Sequence, residues 1–465
     1  MEQFDVVVVG GGIAGLTAAA TAAGASRSVL VLDTTARGGR AATDQVGRFR
    51  FNRGAHALYR SGAGRPVLAR LGVQLAAVSP PLKGAQGRLR DQVGLLPIGP
   101  ASLVRTSLLG PRDKARVGRL LNGMGRWKPE ELADRTAAQW FDEVGVTGDA
   151  RAMVEMVARL TSYVADLDLV SADLVADQIQ KGIGDGVEYL HGGWAALFDG
   201  LREAAERRGA RIELGTPVRR VEPDGDGVRV VLGSGRAPTA DTAGGARPGA
   251  PDLGDGRGHG ESDGHGGRVV CARRVVLAAG TPEADAALLP ERPAAWSGLG
   301  PPVRAACLDL GLAEVPATGV LLGIDRPLYL IRHAPPAELA PPGAAVVHGL
   351  WYLRSDEDPS PAEAQAFLGE HCRVAGIDPD TAEEQRYLHR MVACGALPVP
   401  DSGGRAGRPD VADTGIDGVL VAGDWVGPEG HLADAAIASG ERAARHAVDS
   451  LAHAPTLHPV GGTAS

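Results

Sequence analysis

A glycine-rich segment close to the N-terminus constrains the fold of this chain more than any other feature. The β-branched run Phe4–Val9 stops at Gly10-Gly11-Gly12-Ile13-Ala14-Gly15, and the helix-forming stretch Leu16–Ala20 follows at once. A second apolar run over 28–32 ends at Asp33. The order of strand, glycine turn, helix, strand and acid predicts a βαβ unit whose strands are buried in a parallel sheet.

The spacing within this unit suits a dinucleotide. Gly10 permits the tight turn, Gly12 lets the backbone approach a pyrophosphate, and Gly15 lets the helix pack closely on the strand. The helix N-terminus presents free N–H groups and a positive dipole to the phosphates. Asp33 follows Gly15 by 18 positions, where a carboxylate accepts hydrogen bonds from ribose hydroxyls and disfavours the 2′-phosphate of NADP. The pattern predicts a bound dinucleotide, and by itself it leaves NAD and FAD open.

Composition places the chain among globular proteins without a nucleic-acid-binding surface. Of 465 residues, 44% are hydrophobic and 22% charged, and the formal net charge is −8. No apolar run is long enough for a membrane span. The four cysteines form no C-x-x-C pair, which favours a reducing compartment. Because the N-terminal residues do not resemble a secretory signal, we expect a cytoplasmic protein.

One internal stretch differs in composition from the rest. Residues 233–267 consist almost entirely of Gly, Asp, Ala, Pro, Arg, Ser and His. Such a segment cannot bury enough apolar surface to offset its ordering entropy, so we predict a disordered insertion within a hairpin. His259 and His265 lie in this stretch, but the sequence around them lacks the cysteines and spacing of a metal site, and we predict none.

The residues after Asp33 distinguish between the two dinucleotides. Arg37-Gly38-Gly39-Arg40 comes soon after the acid, and Gly54-Ala55-His56 follows a little further on. This arrangement resembles the second signature of the superfamily of flavin amine oxidases, phytoene desaturases and protoporphyrinogen oxidases. The resemblance implies FAD as the cofactor, with Arg40 along its phosphates and residues 54–56 under the flavin ring.

Two later motifs strengthen the resemblance. Gly192-Gly193-Trp194 opens a predicted helix through Arg208, and Val218 matches the family's valine beside the adenine. An apolar strand then ends at Gly423-Asp424, and a helix from Gly430 to His446 follows. The resemblance implies that the Gly-Asp pair contacts the pyrophosphate and ribityl chain. It also implies that the N-terminus of this helix points at the flavin pyrimidine, where the positive end of the helix dipole stabilises negative charge.

The glycine turn and the resemblance together predict the residues that contact the cofactor. They are Gly10, Gly12, Ile13, Ala14, Gly15, Asp33, Thr34, Gly39, Arg40, Gly54, Ala55, His56, Val218, Gly423, Asp424 and Leu432. The cysteine to which relatives attach flavin covalently has no match, so we expect non-covalent FAD.

We expect an α/β fold in which a discontinuous Rossmann-like FAD-binding domain is joined to a mixed α+β substrate domain. The FAD-binding domain is assigned to 1–60, 185–285 and 390–450, and the substrate domain to 61–184 and 286–389. Residues 451–465 are expected to form a flexible tail.

The substrate domain is predicted to place a sheet under a roof of helices. The helices are predicted over Ser102–Leu121, Ala137–Val144, Ala150–Val164 and Pro361–Val374, and the strands over Val303–Leu310, Gly319–Leu322, Leu328–Arg332 and Ala345–Leu353. The apolar stretch Val93–Leu109 contains Pro97 and Pro100, so it is not a single helix. It fits the wall of a channel, a contact with a membrane surface or, most simply, the core.

Residues near the expected flavin decide which reactions fit. By the resemblance, Leu432 stands where amine oxidases place an aromatic residue beside the amine, and aromatic residues make up only 4% of the chain. We therefore expect two-electron oxidation or desaturation of a C–C or C–N bond in a small apolar or polycyclic substrate. Dioxygen or another acceptor would reoxidise the flavin.

Candidate residues for the reaction follow from the same placement. Tyr329, His348, Trp351 and Tyr352 are candidates for the substrate pocket, although each also fits core packing. His56 and His431 are weak candidates for a general base, since a structural histidine is the commoner outcome.

Three further interpretations stay open. The first is a flavin amine oxidase that releases hydrogen peroxide. The second is a non-catalytic carrier of lipids or prenylated proteins, as in the GDP-dissociation inhibitors that share this architecture, although a carrier has no need of the glycine turn, Arg40 and Asp424 together. The third is a chaperone-like relative that holds FAD without turnover. We expect a small-molecule substrate and no nucleic-acid partner. Peripheral contact with a membrane is compatible with the sequence. The sequence does not indicate an oligomeric state.

Overall fold

The computed structural model describes residues 2–35, 38–233 and 268–452. The predicted insertion beyond Gly233, with His259 and His265, and the predicted tail beyond 452 lie outside the described residues.

The described chain contains both strands and helices along its whole length. The strands are β1 (Glu2–Val9), β2 (Val29–Asp33), β3 (Thr43–Val46), β4 (Phe49–Asn52), β5 (Leu58–Tyr59), β6 (Ala77–Val78), β7 (Gln86–Leu89), β8 (Gln92–Leu95), β9 (Val187–Leu190), β10 (Arg211–Leu214), β11 (Val218–Asp224), β12 (Gly227–Leu232), β13 (Val269–Leu277), β14 (Val303–Leu312), β15 (Val320–Gly323), β16 (Leu328–Ala334), β17 (Ala345–Leu353), β18 (Glu384–Cys394) and β19 (Val419–Val421). The α-helices are α1 (Ile13–Gly24), α2 (Gly64–Leu71), α3 (Pro100–Arg105), α4 (Pro111–Gly123), α5 (Ala137–Glu143), α6 (Gly148–Ser162), α7 (Ala172–Ile179), α8 (Ala195–Arg207), α9 (Pro282–Ala286), α10 (Pro361–Val374) and α11 (Leu432–Ala452), and a π-helical turn spans Gln180–Asp185.

The first sheet has the order β10-β2-β1-β13-β12-β11, and β19 also pairs with β13. β1 runs parallel to β2 and β13, and β13 runs parallel to β19. Val6, Val7 and Val8 are fully buried, as expected for a strand covered on both faces. Helices α1, α8 and α11 contribute buried residues to the same core. The α/β class and the Rossmann-like arrangement are thereby confirmed.

The second sheet has the order β18-β14-β17-β16-β15-β7-β8 and is mostly antiparallel. Alternate residues of each strand face opposite sides. On β14, Ala305 and Cys307 join a core with helices α4 to α7, whereas Ala306 and Leu308 join a separate core with α10. The sheet is therefore covered by helices on both faces.

The structure corrects several predicted elements. The helix predicted over Ser102–Leu121 is two helices, α3 and α4, because Gly110-Pro111 begins a new helix. Strand β18 was not predicted, and the proposed domain boundary at 390 falls inside it. Only helices were predicted within 61–184, but this stretch also contains the β7–β8 hairpin that extends the second sheet. The division into two domains itself stays a prediction.

Among the residues that the structure describes, every helix is too short or too polar to cross a membrane.

Candidate functional site

A cavity of about 1000 Å³ is lined by residues from both sheets. At one end lie the glycine turn after β1, the end of β2 and residues 278–281 after β13. At the other lie helices α4 and α6 with strands β15 and β16. The carboxyl ends of the parallel strands meet here, which is where open α/β sheets bind ligands.

The glycines of the turn have different physical roles. Gly10 has φ +108°, and a Cβ on it would lie 2.2 Å from the carbonyl oxygen of Ala278. A Cβ on Gly15 would lie 1.9 Å from the carbonyl oxygen of Gly10. In contrast, a Cβ on Gly12 would meet no described atom within 4 Å. The protein itself requires Gly10 and Gly15, whereas Gly12 leaves an open space in front of the N-terminus of α1.

Asp33 is held at the end of β2 by the turn it follows. Its Oδ2 accepts a hydrogen bond from the Gly11 N–H at 2.5 Å, and its Oδ1 accepts one from the Thr35 N–H at 2.5 Å. Asp33 and Thr34 both line the cavity. The carboxylate is thus oriented before any ligand arrives, beside the space in front of Gly12.

Arg40 and Asp424 form a charged pair at the same end of the cavity. Arg40 Nη1 donates to Asp424 Oδ2 at 2.5 Å, and Nη2 donates to the carbonyl oxygen of Gly280 at 2.7 Å. Asp424 is buried, and its Oδ1 also accepts from the Gly395 N–H at 3.2 Å. The Asp424 carboxylate raises the pKa of Arg40 against the opposing effect of burial. Two residues that are 384 positions apart in the chain are thereby fixed beside the glycine turn.

Most of the predicted cofactor residues reach the cavity wall. Those that line it are Gly10, Gly12, Ile13, Ala14, Asp33, Thr34, Gly39, Arg40, Ala55, His56, Val218, Gly423, Asp424 and Leu432. Gly15 and Gly54 lie behind the wall. A Cβ on Gly54, which has φ +85°, would meet the sulfur of Met391 at 2.6 Å, so this glycine allows close packing.

The N-terminal turn of α11 forms the floor between the two ends of the cavity. Leu432, Ala433, Asp434 and Ala436 all line it. Leu432 has φ +52°, a left-handed conformation that costs energy for a branched residue. A Cβ on Gly440, further along α11, would lie 2.4 Å from the carbonyl oxygen of Ala14, so α11 packs directly on α1. The two helix N-termini therefore share one cavity.

The two candidate histidines both lie at the cavity. His56 Nδ1 lies 2.9 Å from the Gly54 carbonyl oxygen, and His431 Nε2 lies 2.9 Å from that of Ser162. Because a carbonyl oxygen only accepts, each of these ring nitrogens carries the proton. Burial lowers the pKa of both histidines to about 4. Both rings are neutral at pH 7 and are weak proton acceptors, which disfavours a role as general base.

Of the four pocket candidates, the structure brings only Tyr329 to the cavity. Its hydroxyl lies 2.9 Å from His333 Nε2. His348 is buried with its Nδ1 2.6 Å from Asp309 Oδ1, Trp351 packs on Phe367, and Tyr352 packs edge-on against Tyr163 and Tyr329. These three residues all lie on β17, a predicted strand, but they do not line the cavity.

The wall of the far end is mainly apolar. Helices α4 and α6 contribute Val117, Leu120, Leu121, Met153, Val154, Met156, Val157 and Leu160, and strands β15 and β16 contribute Val320, Leu322 and Ile331. The hydroxyls of Tyr59 and Tyr163, which also line the cavity, donate to the carbonyl oxygens of Thr161 and Ala55. Both hydroxyl groups therefore donate their hydrogen bonds within the protein. The far end of the cavity offers a ligand few polar partners.

Asp434 is a cavity residue that the sequence interpretation did not include among the site residues. The side chain is buried, and its Oδ1 accepts a hydrogen bond from the Gly64 N–H at 2.9 Å. Burial raises its pKa to about 6, against the opposing effects of that N–H and of Lys181. A Cβ on Gly62 would overlap this carboxyl at 2.2 Å, so the position is tightly enclosed. Enclosure of this kind depends on residues far apart in sequence, and no local motif signals it.

We expect Asp434→Asn to stabilise the apoprotein more at pH 8 than at pH 5. An unfolded aspartate has a pKa near 3.9, so the native state binds more protons between pH 4 and pH 6 and loses stability as the pH rises through the folded pKa of about 6. Asparagine keeps the acceptor for Gly64 and removes the charge. The gain in unfolding free energy should grow by about 1 kcal/mol from pH 5 to pH 8. Melting curves at the two pH values measure this difference in unfolding free energy. The control is Asp199→Asn, at an exposed site. An equal gain for Asp434→Asn at both pH values would contradict a raised pKa of Asp434.

The residues present fit FAD. The space at Gly12 leaves room for a pyrophosphate at the N-terminus of α1, and Asp33 offers a carboxylate at the ribose position. Within the described residues, no cysteine lines the cavity. FAD supplies a two-electron acceptor when bound.

Comparisons with known proteins agree with this fit. Residues 13–243, about half of the chain, match the family model of flavin-containing amine oxidoreductases. No curated protein matches the sequence. Among solved structures, an oxidoreductase from Methanosarcina mazei is similar with a TM-score of 0.69 at 19% identity, covering 95% of this chain and 99% of that one.

Two amine oxidases are similar over the same length. Cyclohexylamine oxidase from Brevibacterium oxydans has a TM-score of 0.67 at 19% identity, covering 97% of this chain and 100% of that one. Putrescine oxidase, solved with putrescine, has a TM-score of 0.69 at 17% identity, covering 97% and 99%. At such identities the likeness concerns the fold. The family match together with that fold shows that the chain belongs to the flavin-containing amine oxidoreductases and is an FAD-dependent oxidoreductase.

Proposed function

We propose that this oxidoreductase oxidises or desaturates a C–C or C–N bond in a small apolar or polycyclic substrate. The observation that carries the proposal is the apolar far end of the cavity, built from α4, α6, β15 and β16. When bound, FAD would supply the acceptor for a hydride from the substrate, and the second hydrogen would leave the substrate as a proton. Dioxygen or another acceptor would be the final acceptor of the two electrons.

The chain's own residues would position the two reactants. The N-terminus of α1 and Arg40 would bind the pyrophosphate, and Asp33 would accept hydrogen bonds from the ribose. The N-terminus of α11 would lie at the flavin pyrimidine, where its dipole favours negative charge. The apolar walls would orient the substrate and exclude water. Because His56 and His431 are neutral with a pKa of about 4, we do not assign the proton to either.

The alternative is an amine oxidase that releases hydrogen peroxide. Asp434 is the observation that favours it, since a carboxyl on the cavity wall could pair with a substrate ammonium. Leu432 argues against it, because an aromatic residue stands there in the amine oxidases that this chain resembles. A carrier without flavin has no use for the open space at Gly12.

Anaerobic reduction of the bound flavin separates these functions. The purified holoenzyme is mixed with apolar polycyclic compounds or with alkylamines, and bleaching of the visible absorbance is recorded. We expect bleaching by members of the apolar set and none by the amines. Bleaching by amines alone, followed by peroxide on admission of air, would establish the amine oxidase instead. A protein that takes up no FAD would contradict both.

Heat denaturation tests how the cofactor is attached. We expect the flavin to move into the supernatant, because non-covalent FAD leaves an unfolded chain. Flavin that stays with the precipitate would mean a covalent link.

A further inference from the structure

An exposed apolar cluster surrounds one mouth of the cavity. Leu82, Ile98 and Ile183 line the cavity and are 43%, 50% and 45% exposed, which places them where it opens to solvent. Val104, on the helix that starts just after Ile98, is 76% exposed. Single exposed apolar residues are ordinary, but a cluster at the entrance of an apolar cavity marks an interaction surface.

Hydrogen bonds tie the elements of this mouth together. The Ala85 N–H donates to the Leu82 carbonyl, and the Leu96 N–H donates to the Ala85 carbonyl, at 3.1 and 2.9 Å. The turn that bears Leu82 is therefore joined to the segment that leads into α3. Gln180 Nε2 donates to the Met124 carbonyl at 2.8 Å, which joins the π-helical turn that bears Ile183 to the end of α4. The turn that bears Leu82, the segment from Leu96 through α3 and α4, and the π-helical turn are thus connected around the mouth.

The same elements carry a concentration of positive charge. Residues 100–128 contain seven Arg or Lys and one acidic residue, in a chain of net charge −8. Arg112, Arg116 and Arg119 are exposed and share one face of α4 at the spacing i, i+4 and i+7. Within the described part of the chain, Arg116 pairs with Asp113 at 3.1 Å, whereas Arg112 and Arg119 have no acidic partner. The excess charge is therefore available to an anionic surface.

We propose that this mouth docks on an anionic lipid surface, with the cavity opening toward the bilayer. The docking patch consists of Leu82, Ile98, Val104 and Ile183 together with the basic residues of α3 and α4. Apolar side chains enter the headgroup region while cations attract anionic lipids, and the two contributions add. A bilayer offers anionic headgroups to the basic residues and an apolar interior to both the exposed apolar cluster and the cavity, so one surface matches all three features.

This inference rests on the proposed function in one respect. An apolar substrate partitions into a bilayer, so a mouth seated on the membrane receives it without passage through water. The docking itself can be measured without any substrate. Failure of docking and failure of the proposed reaction are therefore separate results.

Vesicle flotation of the holoenzyme tests the proposal. The probes are vesicles of phosphatidylcholine with phosphatidylglycerol and vesicles of phosphatidylcholine alone. The variant Arg105→Gln/Arg112→Gln/Arg119→Gln removes three exposed charges of the patch, none of which lines the cavity. Its matched control, Arg207→Gln/Arg219→Gln/Arg292→Gln, removes three exposed charges elsewhere. A fourth variant, Val104→Ser, reduces the apolar part.

We expect binding to the anionic vesicles only, weakened by salt. The patch variant should bind about 100-fold more weakly, at about fivefold per charge, and the control variant should bind as the wild type does. Val104→Ser should also bind more weakly. Flavin absorbance confirms that every variant is folded. Absence of binding to anionic vesicles would overturn the proposal, as would equal losses in the patch and control variants. Binding to soluble polyglutamate but not to vesicles would indicate an acidic protein partner and would also overturn it.

Discussion

Replacing Gly12 with aspartate is expected to abolish FAD binding while leaving the apoprotein folded. A Cβ at this position meets no described atom within 4 Å, so the protein has room for a side chain. Gly12 is the N-cap of α1, a position that aspartate favours both as a cap and as a charge at the helix dipole. The same carboxylate would stand where the pyrophosphate must approach. Like charges in contact cost several kcal/mol, so the Kd for FAD should rise more than about 100-fold.

Titration of the apoprotein with FAD, followed by quenching of flavin fluorescence, measures this loss. The control is Gly15→Ala, in which the new Cβ would lie 1.9 Å from the Gly10 carbonyl oxygen. That variant should lose about 3 kcal/mol or more of unfolding free energy. Any loss of FAD binding in it should therefore come with a lower melting temperature. A Gly12→Asp protein that melts like the wild type and still binds FAD tightly would rule out the pyrophosphate position.

Replacing Arg40 with methionine is expected to destabilise the protein even without FAD. Asp424 is 4% exposed at its side chain and would lose its only cationic partner within the described residues, the guanidinium 2.5 Å away. Removing one partner of a buried ion pair costs about 3–5 kcal/mol. Because Arg40 itself is 35% exposed, the lower end of that range is expected. Binding of FAD should weaken as well, since Arg40 is expected to lie along its phosphates.

A second substitution separates these two effects. Asp424→Asn on the Arg40→Met background removes the unpaired charge, and an amide oxygen can still accept from the Gly395 N–H. We expect the melting temperature of the apoprotein to recover most of its loss while the affinity for FAD does not. If the double variant melts as low as Arg40→Met alone, the buried charge of Asp424 is not the cause of the instability.

Local patterns made the nucleotide end of the cavity predictable from sequence. The roles of Gly10, Gly15 and Asp33 depend on a turn whose residues are neighbours in the chain, so spacing alone indicates them. Helix α10 and strand β17 begin and end at the predicted residues, because a Ser-Pro start marks the helix and a run rich in valine and aromatic residues marks the strand.

The far end of the cavity depends on contacts that spacing does not encode. Strand β18 escaped prediction because its residues are mostly half-buried and include several charges, so no alternation appears. Arg386 on this strand reaches Asp309 and Asp44 at 2.6 and 2.8 Å, an ion-pair network between distant segments. His348 was placed in the pocket for its residue type, yet Asp309 holds it inside the sheet. Which way a strand residue faces depends on register, and register is decided by its partners.

The order of strands in the first sheet has a consequence for synthesis of the chain. β1 and β2 leave the ribosome first, but β13, which pairs with β1, begins at Val269, and β19, which pairs with β13, ends at Val421. Helix α11, which packs on α1, comes later still. A nascent chain therefore carries the apolar surfaces of β1 and α1 without their partners through most of translation, and non-local pairing of this kind folds slowly. Chaperone supply and translation rate should thus govern the yield of this protein more strongly than the stability of its finished fold.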